Sequence, residues 1–258
     1  MSELLLDIRD LVIEADIDGD WRPIVNGLSM GLHKGEIVGL IGESGAGKST
    51  FGLAGMGYTK PGCRIVSGSI KLEGEELVGA SPSRLREIRG NSVSYVAQSA
   101  AAAFNPAHRL ITQFVEAPVQ HGKMRSEEAA RRGQDLYRQL DLPDPEHIGN
   151  RFPHQVSGGQ LQRAMTAMAM GCDPRLIVFD EPTTALDVTT QIEVLSTIKE
   201  AVRARGVAAI YITHDLAVVA QLADRIMVLR HGDLVEEGNA RDLLENPQQD
   251  YTRRLLAV

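Results

Sequence analysis

One segment of the sequence has the pattern of a phosphate-binding loop. Residues 42–49 read GESGAGKS and fit G-x-x-x-x-G-K-[ST] at every fixed position, between a strand predicted over residues 36–41 and a helix predicted from Lys48. Glycines let successive backbone N–H groups turn inward around a phosphate, and a helix N-terminus adds partial positive charge. We therefore expect Lys48 to reach the β- and γ-phosphates of a nucleotide and the Ser49 hydroxyl to bind Mg²⁺. The residues predicted to bind nucleotide here are Gly42, Ser44, Gly45, Ala46, Gly47, Lys48, Ser49 and Thr50.

A second candidate site is a pair of carboxylates at the end of an apolar run. Residues 176–180 (LIVFD) predict a buried strand, and Glu181 follows Asp180 directly. An acid at the end of a buried strand is common, so this pattern is weak when taken alone. In a chain with a phosphate loop it gains weight, because Asp180 can then bind Mg²⁺ and Glu181 can orient or deprotonate the attacking water.

A third segment, residues 156–160 (VSGGQ), precedes a helical pattern that starts near Leu161. Ser157 resembles an N-cap, and the glycines expose backbone donors at the helix start, which makes this a second anion-binding surface. One nucleotide has no obvious use for two phosphate cradles, whereas two chains arranged head to tail do. A simple helix cap is the alternative interpretation.

The segments around these motifs predict an α/β protein. Short apolar runs alternate with helical patterns, which is typical of strand–helix units around a largely parallel sheet. The chain starts differently, with antiparallel strands predicted over residues 11–15 and 28–32 around a turn at 16–20. Residues 99–156 are punctuated by prolines, and we interpret them as a helical insertion. Further predicted elements are a helix bracketed by Pro82 and Gly90, a strand over 92–96, a helix over 126–140 with Ser126 as its N-cap, a strand over 208–213, and a helix with Ile192, Leu195, Ile198 and Val202 on one face.

The composition argues against several classes of protein. The 258 residues carry a net charge of −7 with 43% hydrophobic residues, which is ordinary for a globular chain and unlike a disordered or fibrous one. Broad capture of nucleic acid needs a basic face, so we expect no nucleic-acid partner. Cys63 and Cys172 are too few for a disulfide framework or an unaided zinc site, and we expect both to be buried. With no signal-peptide pattern and no apolar run of membrane-spanning length, we predict a cytoplasmic chain that works at a membrane only through a partner.

The order of the motifs resembles that of the ATP-binding subunits of ABC transporters, over residues 4–258. In that order, Walker A at 42–50 is followed by a Q-loop glutamine at Gln98, a signature at 156–160, Walker B at 176–180, the catalytic Glu181, a D-loop at 185–187 and a switch histidine at His214. The resemblance implies an α/β fold with a P-loop NTPase core and mostly parallel sheet, an N-terminal antiparallel β subdomain and a helical ABC-specific insertion. It implies a single nucleotide-binding domain, with the core and β subdomain at residues 1–98 and 172–258 and the helical subdomain, which carries the signature, at 99–171.

For the site, the resemblance implies ATP sandwiched between two such chains, in a homodimer or a heterodimer. Each ATP is expected to contact Walker A of one chain and the signature of the other. Gln98 is expected to sense Mg²⁺ or the attacking water and to relay this to a membrane subunit, and His214 to contact the γ-phosphate. The implied residues are Glu181, His214, Gln98 and Lys48 for catalysis; Ser49, Gln98 and Asp180 for Mg²⁺; Ser157, Gly158, Gly159 and Gln160 for the partner's nucleotide; and Asp187 as a link between the two sites.

Finer matches resemble one group, the peptide/nickel importers. They are residues 180–189 (DEPTTALDVT), Asn105 with Pro106 after the Q-loop, and residues 251–256 (YTRRLL). The likeness implies that ATP hydrolysis powers uptake of peptide-like or related small solutes through separate membrane permease subunits, with an extracytoplasmic solute-binding protein as an indirect partner. The chain is then expected on the cytoplasmic face of the membrane.

Two positions depart from the family pattern. Val156 begins the signature where leucine is usual, and Ala15 stands where the family has an aromatic ring that stacks on adenine. The single tryptophan, Trp21, lies nearby in the predicted hairpin and is our candidate to replace that ring, with packing on the sheet edge as the alternative.

A different class of function also stays open, that of a soluble ABC ATPase in cofactor assembly, translation or DNA maintenance. Translation factors of this kind normally carry two cassettes in one chain. DNA-maintenance ATPases separate the Walker motifs by a long coiled coil, and no sustained heptads lie between Lys48 and Asp180.

Overall fold

The computed structural model describes residues 4–183 and 186–256, apart from the side chain of Ala217. Contacts within the chain divide it into two compact units. The first unit combines Met1–Leu85 with Ala208–Val258, and the second is Arg86–Val207. The functional subdomain boundaries expected from the sequence, after residues 98 and 171, remain a prediction.

The first unit contains most of the strands. Its strands are β1 Leu4–Ile17, β2 Asp20–His33, β3 Ile37–Ile41, β4 Cys63–Leu72, β5 Glu75–Glu76, β8 Ala208–Thr213, β9 Arg225–Arg230 and β10 Asp233–Asn239. Its helices are α1 Lys48–Ala54, α8 Leu216–Leu222, α9 Ala240–Glu245 and α10 Asp250–Leu256. Helix α2, Pro82–Ile88, crosses the boundary to the second unit.

One sheet of the first unit is antiparallel, with the strand order β2-β1-β4-β5. Strands β1 and β2 contain the predicted segments and extend beyond them to a tight turn at Asp18 and Gly19. Both turn residues have positive φ, 55° and 88°, as a two-residue type I′ hairpin requires. Ile24 is an extra residue on β2, between the cross-strand pairs Ile13–Val25 and Glu14–Pro23. This β-bulge reverses which side chains of β2 face the protein interior.

The other strands of the first unit build the parallel part of the fold. Strand β3 pairs in parallel with both β8 and β9, and β10 pairs antiparallel with β9. All residues of β3 are buried, so both faces of the strand are covered. A strand covered on both faces needs apolar residues at every position, which explains the short apolar run without alternation. Because the C-terminal ends of parallel strands share one edge, the residues that follow Ile41 and Thr213 leave the sheet on the same side.

The second unit combines a parallel strand pair with helices. Strands β6 Val93–Val96 and β7 Leu176–Asp180 pair in parallel. Its helices are α3 Ala100–Ala103, α4 Leu110–Gln120, α5 Ser126–Gln139, α6 Gly158–Met170 and α7 Val188–Ala204, with short 3₁₀ segments at Ile148–Asn150 and Pro153–Gln155.

The helices α4 and α5 pack closely around aromatic rings. Phe114 and Tyr137 meet edge to face with their ring centroids 6.0 Å apart. Gly133 permits this approach, because a Cβ atom there would lie 2.7 Å from Ile111 Cδ1. Burial of Tyr137 raises the pKa of its phenol above the ordinary value.

The fold class predicted from the sequence is confirmed, and strands β7 and β8 have the predicted bounds. Two details were wrong. Arg125, not Ser126, occupies the N-cap position of α5, and its side chain makes no capping hydrogen bond. Ile192 is 50% exposed, because at 3.6 residues per turn it lies about a third of a turn from Ile198 in the buried stripe of α7.

Cys172 is buried, whereas Cys63 is only half-buried. Within residues 4–183 and 186–256, no helix combines the length and the apolarity needed to cross a membrane. The D-loop position Ala185 and the neighbouring Thr184 lie outside the described residues.

Candidate active site

Lys48 stands at the first position of α1, directly after the phosphate loop. Its side chain is only 5% exposed, and Nζ donates hydrogen bonds to the carbonyl oxygens of Gly42 (2.7 Å) and Glu43 (2.9 Å). A buried ammonium group needs such acceptors, because burial without a partner is costly. The loop therefore holds its cation beside the N-terminus of α1, in the arrangement that suits a phosphate ligand.

Two glycines fix the path of the loop. Gly42 has φ 151°, and a Cβ atom there would lie 2.1 Å from the carbonyl oxygen of Leu229. Gly47 has φ 88° at the N-cap of α1, and a Cβ atom there would lie 2.6 Å from the carbonyl oxygen of Ile24. Only glycine fits either position, because both the backbone conformation and the space exclude a side chain. The sequence pattern thus follows from close packing as well as from ligand chemistry.

Helix α10 is tied to the same loop. The backbone N–H of Glu43 donates to the phenol oxygen of Tyr251 at 3.2 Å. The guanidinium of Arg230 lies over the Tyr251 ring, 4.9 Å from its centroid. Tyr251 belongs to the YTRRLL segment, which the sequence marked only by its likeness to a group of importers. The structure gives this tyrosine a specific contact with the phosphate loop.

The remaining loop residues predicted to bind nucleotide differ in exposure. Ser44 and Gly45 are exposed, Ala46 is buried, and Ser49 and Thr50 are half-buried in the first turn of α1. The N–H of Gly232, in the turn between β9 and β10, donates to the Ala46 carbonyl at 3.2 Å. The loop thus rests on this turn while its tip faces solvent.

Trp21 lies on the sheet face opposite to the side chains that approach the loop. Val25 and its cross-strand partner Ile13 are fully buried, and Val25 Cγ2 lies 3.6 Å from the Cβ position of Gly47. Trp21 pairs with Asp16, three residues along β1 from Ile13, so its side chain points to the other face. This placement favours the alternative interpretation, in which Trp21 packs on the sheet.

The contacts of Trp21 agree with that placement. The guanidinium of Arg64 lies 4.0 Å from the ring centroid of Trp21, and Arg64 forms two hydrogen bonds with Glu14, of 3.0 and 2.8 Å. Such a stack is a cation–π contact on a partly exposed ring. Ala15, by contrast, lies on the same face as Ile13 and Val25.

His214 follows the last residue of β8 and is exposed. It lines a pocket together with Asp215 and the side chains of Leu216, Leu244, Leu255 and Leu256. Because β3 and β8 are parallel neighbours, His214 follows β8 at the sheet edge from which the phosphate loop also emerges.

In the second unit, the strand pair β6–β7 holds two carboxylates. Asp180, the last residue of β7, is 8% exposed, and its Oδ2 accepts a hydrogen bond of 3.1 Å from the hydroxyl of Tyr95 on β6. Tyr95 is a residue that sequence reasoning missed. The signal that could have revealed it is the pairing of β6 with β7, which a single sequence does not display.

Glu181 turns sharply out of the strand. It has φ 46°, a left-handed conformation that is uncommon and strained for a glutamate and that recurs at functional sites. Its Oε2 accepts a hydrogen bond of 3.4 Å from Nε2 of Gln98, the predicted Q-loop residue. The structure therefore brings together two residues that the sequence placed in separate motifs.

The predicted signature forms the start of α6. Ser157 is its N-cap, with its hydroxyl accepting from the Gln160 N–H at 3.3 Å, while Gln160 Oε1 accepts from the Ser157 N–H at 3.1 Å. This reciprocal capping box satisfies two backbone donors. Gly159 is buried, and a Cβ atom there would lie 2.5 Å from Thr190 Cγ2. Gly158 is exposed beside Leu186 of the D-loop.

Asp187 has a local structural task. It is the N-cap of α7, and its carboxylate accepts from the Thr190 N–H at 3.0 Å and from the Thr190 hydroxyl at 2.7 Å. These hydrogen bonds hold the pKa of Asp187 below its ordinary value. The sequence suggested a link between two sites here and missed the cap.

Comparison with known proteins assigns the sequence of this chain to one family. The model of the family described as ABC transporter matches residues 25–184. The oligopeptide transport ATP-binding protein OppD of Lactococcus lactis is 39% identical over 99% of this chain and 75% of its own length. The dipeptide transport ATP-binding protein DppD of Bacillus subtilis is 38% identical over 98% of this chain and 76% of its own length.

Solved structures agree on the fold. The ATP-binding cassette MJ0796, solved as a dimer bound to ADP and phosphate, has a TM-score of 0.79 and 23% identity, over 92% of this chain and 99% of its own. The protein cbiO1 of Clostridium perfringens has a TM-score of 0.80 and 23% identity, over 95% of this chain and 92% of its own. The chain therefore belongs to the ABC transporter family, and it is an ATP-binding, ATP-hydrolysing member of that family.

Proposed function

We propose that this chain powers the uptake of peptides or related small solutes through separate membrane permease subunits. The observation that carries the proposal is the likeness, over nearly the whole chain, to oligopeptide and dipeptide transport ATP-binding proteins of different bacteria. In this arrangement the chain binds the cytoplasmic side of the permease, and an extracytoplasmic solute-binding protein delivers the solute.

We assign the chemistry of hydrolysis to four residues. Glu181 polarises the attacking water, and its strained backbone and contact with Gln98 support that role. Lys48 stabilises the negative charge that develops on the transferred phosphoryl group, as its place beside the loop suggests. Gln98 senses Mg²⁺ or the attacking water and relays this to the permease, and His214 contacts the γ-phosphate.

Magnesium is the metal that the donor set suits. A Mg²⁺ ion prefers oxygen ligands and commonly uses one or two protein groups together with phosphate oxygens. Ser49 and Asp180 supply such oxygens, with Gln98 as the third assigned residue. Among the described residues, no cluster of three or more His, Cys, Asp or Glu side chains forms a cage for a metal ion. When bound, Mg²⁺ neutralises charge on the β- and γ-phosphates.

The second half of each site comes from a partner chain, a second copy or a related cassette. Ser157, Gly158 and Gly159, with Gln160, contact the nucleotide held by the partner's phosphate loop, at the N-terminus of α6. Asp187 is the N-cap of α7, whose first turn packs against Gly159 through Thr190. From this position it couples the two sites. The two chains close on ATP and separate again after hydrolysis, and the permease follows this movement. Adenine contact by Trp21 stays a prediction from the sequence, and the stacking of Arg64 on its ring favours the alternative of packing on the sheet.

The rival function, a soluble ABC ATPase in cofactor assembly, translation or DNA maintenance, is not favoured. Relatives that align with 91–99% of this chain are named as transport ATP-binding proteins. The net charge of −7 argues against broad electrostatic capture of nucleic acid.

The direct test is uptake by membrane vesicles that contain the whole transporter. The tagged chain should co-isolate with polytopic permeases, and the purified complex in vesicles should accumulate labelled di- or oligopeptide only with ATP inside. Uptake of Ni²⁺ without uptake of peptide would show that the chain serves a nickel importer of this group and not a peptide importer. Co-isolation with ribosomes or DNA and no permease would overturn the proposal.

A further inference from the structure

The hydroxyl of Tyr95 has no part in the assignments above, yet it contacts one of the assigned metal ligands. It donates to Asp180 Oδ2 at 3.1 Å, and the Tyr95 side chain is partly exposed (38%) while Asp180 is buried. A phenol that served only to fill space would not need its hydroxyl directed at a carboxylate.

The register of the strand pair explains why tyrosine reaches this carboxylate. Tyr95 lies opposite Val178, and Asp180 is two residues further along β7 on the same face. The separation is about 7 Å at a strand's rise per residue, which a tyrosine side chain leaning along the strand can cover. A phenylalanine at this position would keep the ring and remove the hydroxyl that donates to Asp180.

We propose that Tyr95 is a positioning residue that fixes the orientation of the Asp180 carboxylate for Mg²⁺. The inference rests on the proposed role of Asp180 in metal binding. A hydrogen bond to one oxygen restricts rotation of the carboxylate, and groups that orient metal ligands in this way commonly change metal affinity when they are removed. Three residues later, Gln98 makes the corresponding contact with Glu181, so residues of one strand and its extension orient both carboxylates.

The experiment measures metal binding apart from turnover. Mn²⁺, which also prefers oxygen ligands, is titrated into the full chain with a non-hydrolysable ATP analogue and followed by electron paramagnetic resonance. Tyr95→Phe is expected to weaken Mn²⁺ binding about tenfold. Binding of the analogue without metal should not change, and turnover should return to within about twofold of the wild type at saturating Mg²⁺. Tyr58→Phe, at a phenol of similar exposure (37%), is the matched control.

Two further variants make the result decisive. Asp180→Asn should weaken Mn²⁺ binding at least as much as Tyr95→Phe, and the double variant should be no weaker than Asp180→Asn alone, because both changes act on one group. If Asp180→Asn weakens binding while Tyr95→Phe binds Mn²⁺ like the wild type, or if the two effects add, the role of Tyr95 is refuted and that of Asp180 stands. If Asp180→Asn leaves Mn²⁺ binding unchanged, both roles fall.

Discussion

The side-chain amide of Gln98 donates to the carboxylate of Glu181 across 3.4 Å. Two motifs about eighty residues apart in the sequence thus meet through a hydrogen bond. Glu181, which is proposed to polarise the attacking water, is contacted by Gln98, which is proposed to sense Mg²⁺ or that water. Because the contact uses the charged carboxylate as acceptor, it is sensitive to any change in the charge of Glu181.

Removing the charge of Glu181 should separate nucleotide binding from hydrolysis. Glu181→Gln keeps the size of the side chain and loses the general base, so ATP turnover should fall at least about a hundredfold. ATP binding should persist, and an ATP-bound dimer should accumulate when a competent second half is present. Phosphate release and light scattering with ATP measure the two effects. Glu127→Gln, an exposed change in α5, is the control, and wild-type turnover in Glu181→Gln would exclude the assigned role.

The phosphate loop should respond very differently to alanine at two of its glycines. Gly42→Ala places a methyl group against the Leu229 carbonyl at 2.1 Å, so we expect a loss of about 3 kcal/mol or more in unfolding free energy. In Gly45→Ala the added methyl group meets no atom within 4 Å, and only the strain of φ 83° remains. We expect this strain to lower the unfolding free energy by about 1 kcal/mol. Urea unfolding measures both, and equal losses would contradict the packing described for Gly42.

Ser157 combines a cap with a proposed nucleotide contact, and two substitutions can separate these tasks. Ser157→Ala removes the cap and should cost about 1 kcal/mol of unfolding free energy. Ser157→Asp keeps a capping acceptor, so stability should be retained, but its negative charge should oppose a phosphate and abolish ATPase activity. Thermal unfolding and phosphate release are compared in the same preparations. Full activity in the aspartate variant would rule out phosphate contact at this position.

Asp187 should make stability depend on acid. Hydrogen bonds from Thr190 lower its folded-state pKa, so the ionised cap contributes stability above the ordinary carboxyl pKa of 3.8. That contribution is lost as the pH falls through the lowered value. Asp187→Asn keeps a capping oxygen without titrating, so the difference in urea midpoint between wild type and variant should be largest at pH 7. It should shrink below about pH 5. A difference that is constant with pH would show that the cap does not titrate.

The single tryptophan allows a direct test of adenine contact. Because the Trp21 ring faces away from Val25 and is stacked by Arg64, Trp21→Phe should change ATP affinity by no more than about twofold. The affinity for a fluorescent ATP analogue measures this. A loss of affinity for ATP but not for tripolyphosphate would restore Trp21 as the adenine platform.

The sequence was informative wherever a local pattern determines the structure. The strand β7 and the cap at Ser157 follow from apolar runs and capping chemistry, which act within a few residues. The sequence did not show which strands pair with each other. The contact of Tyr95 with Asp180 and the face of Trp21 both depend on register, and the register depends on which strands pair and where a bulge falls. The anchoring of the loop by Tyr251 joins residues more than two hundred positions apart.

The extra residue at Ile24 has a consequence that extends past its own sheet. Its carbonyl oxygen would lie 2.6 Å from a Cβ atom on Gly47 and 2.7 Å from one on Gly232, so a single backbone group sets the clearance for two turns. Deleting Ile24 would remove the register shift between the pairs Ile13–Val25 and Glu14–Pro23. It would also remove the carbonyl group that packs against the phosphate loop. The number of residues in the first hairpin therefore affects the conformation of the phosphate loop, although none of those residues belongs to the loop.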